Sequence, residues 1–152
     1  MMPANEFARR YLEDLLSFFG LNTRVEDHVA DSTIELMVPS SRLNGFLIGQ
    51  RGQNLRSLQH LTNMAVRRGG YDEMTVVIDV AGYKKQRYDR LARQARGMAE
   101  EVLSSGQPKE LEPMNAAERR VVHQAIGEIA GLSSESSGEG RDRHIVIEKT
   151  ST

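Results

Sequence analysis

The chain has 152 residues, of which 39% are hydrophobic and 27% charged, the composition of an ordinary folded protein of one or two small domains. It contains no cysteine, which excludes disulfides and thiolate metal sites. Charges interrupt the apolar positions of its N-terminus, and no run of about 18 apolar residues exists, so we expect no secretion signal, no membrane insertion and a cytoplasmic location.

The net charge of −1 conceals two basic blocks. Residues 42–70 hold five arginines and no acid, and residues 84–96 hold six bases against one acid, so each block carries +5. Residues 1–41, 71–83 and 97–152 carry −4, −3 and −4. Two positive patches in a mildly acidic protein are typical of a surface that binds a polyanion. Charged runs are equally common on solvated helix faces, so charge alone leaves both interpretations open.

The first eighty residues predict the element order α-β-β-α-α-β. A helix with Asn5 as its cap stops at Gly20, and two extended runs, 23–29 and 33–38, follow. A short helix over 42–48, a loop, a helix over 53–68 and a strand over 74–80 complete the set. We therefore expect an antiparallel or mixed sheet with helices on one face.

The helix predicted over 53–68 has an apolar and a polar face. Its expected buried stripe is Leu55, Leu58, Leu61, Ala65 and Val66. The residues expected on the opposite face are Arg56, Gln59, His60, Asn63 and Arg67.

The second half of the chain predicts a long helix, a capped helix and a final strand. The long helix begins near Tyr83, and its exposed side should carry Arg87, Arg90, Arg93 and Arg96. Asn115 with Glu118 three residues on predicts a capped helix start. The segment "SSESSGEGR", residues 133–141, predicts a flexible loop, and residues 143–149 alternate like a strand.

The loop at residues 49–52 joins an apolar run to a helix. With 13 glycines, about one G-x-x-G is expected by chance, so the spacing alone is weak. Its context is stronger, because the start of a helix favours anions and glycine lets another backbone approach closely. Arg51 lies within the loop and Arg56 follows one turn on. The sequence lacks the Lys-Ser/Thr of a Walker loop and the third glycine of a dinucleotide fingerprint, which leaves the nucleotide-backbone clamp of KH domains.

Several segments together resemble the bacterial Jag family, also called KhpB or EloR. They are "LIGQRGQNLRSLQHLTN", "VVIDVAGYKKQRYDRLARQA" and "LEPMNAAERRVVHQAI", followed by a Ser/Gly segment and "RHIVI". Their order covers nearly all of residues 5–149. The resemblance implies an α+β protein with a type II KH domain at 1–81 and a small α/β domain, named for an Arg-x-x-x-His signature, at 82–152.

The resemblance also assigns the binding residues. In the KH domain they are Gly49, Gln50, Arg51, Gly52 and Arg56, with Ile48 and Leu55 as an aliphatic groove for bases. In the second domain they are Arg119 and His123, with Arg120 as a weaker candidate.

Two features depart from the family. Its KH loops usually carry lysine where this chain has Gln50, so we expect weaker phosphate binding and a salt slope lower by about 0.7. The resemblance begins at the KH helix, so we expect no Jag-N domain like that of longer members. We therefore do not transfer that domain's functions.

Arg119 and His123 lie four residues apart and share one helix face. Arginine can donate to a phosphate in a forked geometry, and histidine can donate to a base or stack on it. The alternative is a surface arginine beside a half-buried histidine that bonds a local carbonyl.

The predicted function is non-enzymatic binding of single-stranded RNA, with single-stranded DNA left open, and without metal or cofactor. The resemblance implies post-transcriptional regulation linked to cell-envelope growth and a small single-KH protein as partner. An alternative is a protein-interaction adaptor that binds nucleic acid incidentally. A nuclease is disfavoured, because no paired carboxylates at metal spacing accompany His123.

Overall fold

The computed structural model describes residues 1–151. The chain divides into two compact units, Met1–Lys84 and a second that begins at Lys85. Each unit combines helices with a three-stranded sheet, so the α+β class is confirmed. The boundary predicted between residues 81 and 82 falls in the turn before the helix that crosses from one unit to the other.

The first unit has the predicted element order. Its elements are α1 (Ala4–Phe18), β1 (Glu26–Ala30), β2 (Thr33–Val38), α2 (Asn44–Ile48), a 3₁₀ turn (Gln50–Gly52), α3 (Gln53–Arg68) and β3 (Thr75–Val80). The sheet is mixed, because β1 and β2 are antiparallel while β2 and β3 are parallel. The expected cap at Asn5 is wrong: Pro3 precedes the first helical residue, and the Asn5 amide donates to Asp27 Oδ2 at 2.7 Å.

The core of the first unit lies between one face of the sheet and the helices. Alternate residues of β2 and β3 are fully buried, as are three positions of α1 at helical spacing. This set is Ile34, Leu36, Val38, Val76, Ile78, Val80, Ala8, Leu12 and Leu16. The period of two in the strands and of about four in the helix explains why these elements could be predicted from sequence.

The expected faces of α3 are partly wrong. Thr62 is buried, while Leu61 is 44% exposed. Asn63 Nδ2 donates to the Val76 carbonyl at 2.8 Å, and its Oδ1 accepts from Val76 N–H at 2.7 Å. Gln59 Oε1 accepts from Ile78 N–H at 3.0 Å. These amides face the outer edge of β3 and occupy backbone groups that an edge strand would otherwise leave unpaired.

The second unit is built on an antiparallel sheet in the order β4-β6-β5. Its elements are α4 (Tyr83–Ser105), β4 (Lys109–Glu110), α5 (Ala116–Gly127), β5 (Leu132–Ser137), a 3₁₀ turn (Gly140–Asp142) and β6 (His144–Lys149). The first two residues of α4 belong to the first unit. The core includes Leu91, Ala95, Ala99, Val102, Val122, Ile126, Ile145 and Ile147.

The flexible loop predicted at 133–141 is wrong over its first half. Residues Leu132–Ser137 form β5, which pairs with the whole length of β6. Composition favoured a loop, but the ladder to β6 satisfies the backbone and Leu132 anchors the strand in the core. Strand β4 was not predicted either, since a two-residue strand has no readable period.

The predicted cap of α5 is confirmed. Asn115 Oδ1 accepts from Glu118 N–H at 2.9 Å, and Glu118 Oε2 accepts from Asn115 N–H at 3.2 Å. The two residues thus satisfy each other's backbone donors at the helix start. Separately, none of the helices within residues 1–151 is long and apolar enough to span a membrane.

Candidate nucleic-acid interface

The loop at 49–52 has an unusual backbone. Gly49 has φ 72° and ψ 179°, a region that only glycine adopts readily, and Gly52 has φ 74° and ψ 19°. Between them Arg51 takes a left-handed conformation at φ 56° although it carries a Cβ, which costs about 1–2 kcal/mol. Such strain in a short segment is typical of a ligand-binding loop.

Gly49 is required by space as well as by conformation. A Cβ there would lie 2.7 Å from Asn54 Cγ. The Asn54 side chain is itself held, because its Nδ2 donates to the Phe46 carbonyl at 2.7 Å. Asn54 therefore ties the first turn of α3 back to α2 across the loop. This role of Asn54 was not predictable from the sequence, since its partner is a backbone carbonyl eight residues away.

The backbone donors of the loop differ in their hydrogen-bond partners. The N–H of Gly49 bonds Gly45 at 2.9 Å, that of Gly52 bonds Gly49 at 3.2 Å, and that of Gln53 bonds Gln50. Within residues 1–151, the N–H groups of Gln50 and Arg51 take part in none of the backbone hydrogen bonds of turns, loops and caps. Both residues are exposed, and α3 begins two residues after Arg51, at Gln53. That arrangement suits a phosphate oxygen.

The remaining predicted residues of this unit differ in accessibility. Arg56 is exposed, and its Nη1 donates to the Arg51 carbonyl at 3.0 Å, which holds the guanidinium against the loop. Ile48 is half-buried beside Gly49. Leu55 is only 4% exposed and belongs to the core. A base that contacts this side of the loop would therefore meet Ile48 more readily than Leu55.

Gly49→Ala is expected to lower affinity for single-stranded nucleic acid by about tenfold or more and to destabilise the first unit by about 1–3 kcal/mol. The methyl group both clashes with Asn54 and disfavours the backbone conformation that the loop adopts at Gly49. Fluorescence anisotropy and thermal unfolding measure the two effects.

Gly45→Ala is the matched control for that variant. It lies in α2, and a methyl group there meets nothing within 4 Å, so binding and stability should be unchanged or slightly raised. Equal losses in both variants would contradict the special role of Gly49.

In the second unit, Arg119 and His123 are both held by neighbours. Arg119 Nη1 donates to the Met114 carbonyl at 2.6 Å. His123 Nδ1 lies 2.7 Å from Ser134 Oγ, and its Nε2 lies 3.2 Å from Ser136 Oγ. Both ring nitrogens thus bond hydroxyls of β5 rather than a local carbonyl. Arg120, the weaker candidate, is exposed.

Burial lowers the pKa of His123, and the nearby Arg119 charge lowers it further. The free ring is consequently neutral at neutral pH, with one N–H donor and one acceptor for the two serines. Its pairing fixes α5 against β5 and leaves the serine-rich strand aligned along the Arg-x-x-x-His helix.

We expect the stabilisation by His123 to weaken as the pH falls. The folded state disfavours protonation of this ring, so its contribution is present above the unfolded pKa near 6.5 and declines below it. The difference in free energy of unfolding between wild type and His123→Gln should therefore narrow from about pH 7.5 to about pH 5.5.

The pKa of His144, in the same unit, is shifted in the opposite direction to that of His123. A hydrogen bond to the Asp142 carbonyl, then contact with Glu110, raises its pKa, so its contribution is complete below pH 6.5 and is lost as the pH rises through the raised pKa. Wild type and His123→Gln both retain His144, so its contribution cancels in the difference between their free energies of unfolding. A difference that does not change with pH would contradict the assignment to His123.

Of the four arginines predicted on the exposed side of α4, one is mostly buried. Arg87 does not lie on a freely exposed face: its Nε pairs with the buried Glu118 carboxylate at 3.4 Å, and its side chain is 18% exposed. Arg90, Arg93 and Arg96 are exposed as predicted. In the described part of the chain, no group of three or more histidine and acidic side chains is arranged to hold a metal ion.

Comparison with known proteins identifies the relatives of the chain. The family model of the R-3-H domain, the Arg-x-x-x-His domain, matches residues 89–149, which include Arg119 and His123. The RNA-binding protein KhpB of Clostridium symbiosum is 37% identical over 103 residues, 68% of this chain and 46% of that protein. KhpB of Bacillus subtilis is 30% identical over 142 residues, which are 92% of this chain and 68% of that protein. KhpB of Lactiplantibacillus plantarum is 34% identical over 148 residues, which are 95% of this chain and 45% of that protein.

The chain thus spans between about half and two thirds of these relatives' length. The similarity to the Bacillus subtilis protein extends over both compact units, and the match to the Arg-x-x-x-His domain falls within the second. The predicted resemblance is confirmed, and the chain belongs to the KhpB (Jag) family.

Proposed function

We propose that this protein binds single-stranded RNA without catalysing a reaction. The observation that carries the proposal is the backbone of the loop at 49–52, where two glycines with positive φ flank a left-handed Arg51 in a block of the chain with five arginines and no acid. Backbone donors recognise phosphate without reading the base. The KhpB relatives, which are named RNA-binding proteins, support RNA as the ligand.

The first unit would act as a type II KH domain, residues 1–81. Its element order and its G-x-x-G loop between two helices support this assignment. The loop would hold the sugar–phosphate backbone, with Arg51 and Arg56 adding charge and Ile48 contacting a base. Gln50 contributes its N–H but no cation, so affinity should depend on salt less steeply than in relatives with lysine there.

The second unit would correspond to the domain predicted at 82–152 and would add an independent weak site. Arg119 retains guanidinium donors beyond the one bonded to Met114, and Arg120 is free to approach a phosphate. His123 would act mainly by holding β5 in place. Two weak sites on one chain raise the overall affinity through effective concentration.

The biological role follows from the family rather than from the geometry. We propose post-transcriptional regulation linked to cell-envelope growth, in the cytoplasm, with a small single-KH protein as partner. Single-stranded DNA remains the alternative ligand, because a phosphate clamp does not sense the 2′-hydroxyl.

A protein-interaction adaptor is the second candidate, favoured by one observation. Phe18, Phe19 and Phe46 are 86%, 43% and 52% exposed, and the last two rings meet edge to face at 5.2 Å. An exposed aromatic cluster of this kind is typical of a protein contact.

Fluorescence anisotropy on a short labelled single-stranded RNA across a salt series separates the two candidates. Phosphate binding predicts affinity that falls steeply as salt rises, and Arg119→Ala with His123→Ala measures the share of the second unit. Absence of wild-type binding even at low salt would overturn the proposed function and leave the adaptor.

A further inference from the structure

Tyr83 lies directly against the G-x-x-G loop. It is the first residue of α4 and belongs to the first unit. A methyl group placed on Gly52 would lie 3.5 Å from Tyr83 Cε1 and 3.6 Å from its hydroxyl oxygen. The half-buried ring also packs against the core of this unit. Tyr83 therefore covers the second glycine of the loop and brings its hydroxyl to the same place.

The turn before α4 fixes Tyr83 in this position. Ala81 and Gly82 both have left-handed backbones, at φ 55° and 71°. Asp79 accepts from the N–H of Gly82 at 2.9 Å and from that of Lys84 at 3.2 Å, so the backbone is held on both sides of Tyr83. The carboxylate of Asp79 thus already accepts from one backbone N–H of the first turn of α4, that of Lys84.

The hydroxyl of Tyr83 is available for a ligand. Within residues 1–151 no buried side-chain oxygen lacks a hydrogen-bond partner. None of the side-chain hydrogen bonds in that part of the chain involves the Tyr83 hydroxyl, so this oxygen is not fully buried. Tyr71 in the same unit differs, since its hydroxyl donates to the Met2 carbonyl.

We infer that the Tyr83 hydroxyl donates a hydrogen bond to the phosphodiester held on residues 49–52. This inference rests on the proposed function and adds a binding residue to it. The backbone N–H groups of Gln50 and Arg51 and the hydroxyl beside Gly52 are all neutral donors on one short loop and its neighbour. Such donors position a phosphate without replacing a counterion.

Tyr83→Phe tests the contact, because it removes the hydroxyl and keeps the ring that packs on Gly52. We expect about a fivefold to tenfold loss of affinity with an unchanged salt slope and an unchanged melting temperature. The loss should be equal on single-stranded RNA and on single-stranded DNA of the same sequence, because both carry the phosphodiester. Tyr88→Phe, five residues along the same helix, is the control and should bind like wild type.

The outcomes separate this contact from the proposed function. Wild-type binding with unchanged affinity in Tyr83→Phe would overturn the contact and leave the function intact. A loss on RNA alone would place the hydroxyl on the ribose and overturn the phosphate assignment. Equal loss in Tyr88→Phe would also overturn it. If the wild type binds no nucleic acid, the function fails and the contact fails with it.

Discussion

The double substitution Gln50→Asp with Arg51→Asp is expected to reduce binding of single-stranded RNA by about 100-fold or more. It places two carboxylates at the exposed positions between Gly49 and Gly52, where a phosphate would lie. Like charges at close range in an interface cost several kcal/mol. The cation of Arg51 is lost as well, so the salt slope should flatten. Anisotropy titrations at several salt concentrations measure both effects.

The control for this variant changes the same amount of charge at the other end of α3. Arg67→Asp with Arg68→Ala also removes three charge units, from exposed residues of the last helical turn. We expect it to weaken binding only modestly. If both variants lose affinity equally, the loop is one part of a diffuse positive field rather than a clamp.

Gln50→Lys provides a change in the opposite direction at the same position. It restores the cation that the family loops usually carry and should steepen the salt slope by about 0.7 while raising affinity at low salt. Because lysine keeps the backbone N–H, any gain can be attributed to charge.

The second large effect is expected at Glu118, where alanine should destabilise the second unit by about 3 kcal/mol. Glu118 is 6% exposed and has two partners, the Asn115 N–H and the Arg87 guanidinium. Removing its side chain leaves the Asn115 N–H without its acceptor and a mostly buried arginine without its counterion. Chemical unfolding, with hydrogen exchange of the α5 amides to localise the loss, measures the effect.

Glu118→Gln separates the two contributions. Glutamine can still accept from Asn115 N–H, as in other capping boxes, but it carries no charge for Arg87. We therefore expect a loss between wild type and Glu118→Ala. Asn115→Ala removes only the cap and should cost about 1 kcal/mol. If Glu118→Ala is as mild as Asn115→Ala, the pair with Arg87 contributes nothing.

Local sequence patterns predicted the elements that have a clear period or a local signal. The alternation of Ile34, Leu36 and Val38 predicted β2, and helical spacing of apolar residues predicted α1 and α4. The reciprocal cap of Asn115 and Glu118 acts within three residues, so it too was predictable. Each of these signals depends on neighbours in the chain, and the sequence contains them in full.

The partners of the polar side chains were not predictable in the same way. Gln59 and Asn63 follow the polar face of α3 by spacing, yet they bond the edge of β3, and Arg87 meets Glu118 thirty-one residues away. Such pairs depend on which strand edge or helix start lies alongside, and no local period encodes that.

In the candidate site too, some features were predictable from local sequence and others depended on tertiary packing. The sequence by itself determined where the G-x-x-G loop and the Arg-x-x-x-His pair lie, and that each sits at or on a helix. Tertiary structure alone decided that Asn54 and Tyr83 enclose the loop, and that Ser134 and Ser136 of a strand mistaken for a loop hold His123. The physical reason is that hydrogen-bond partners and close contacts are set by register and packing between distant segments, whereas helix and strand periods are set within one segment.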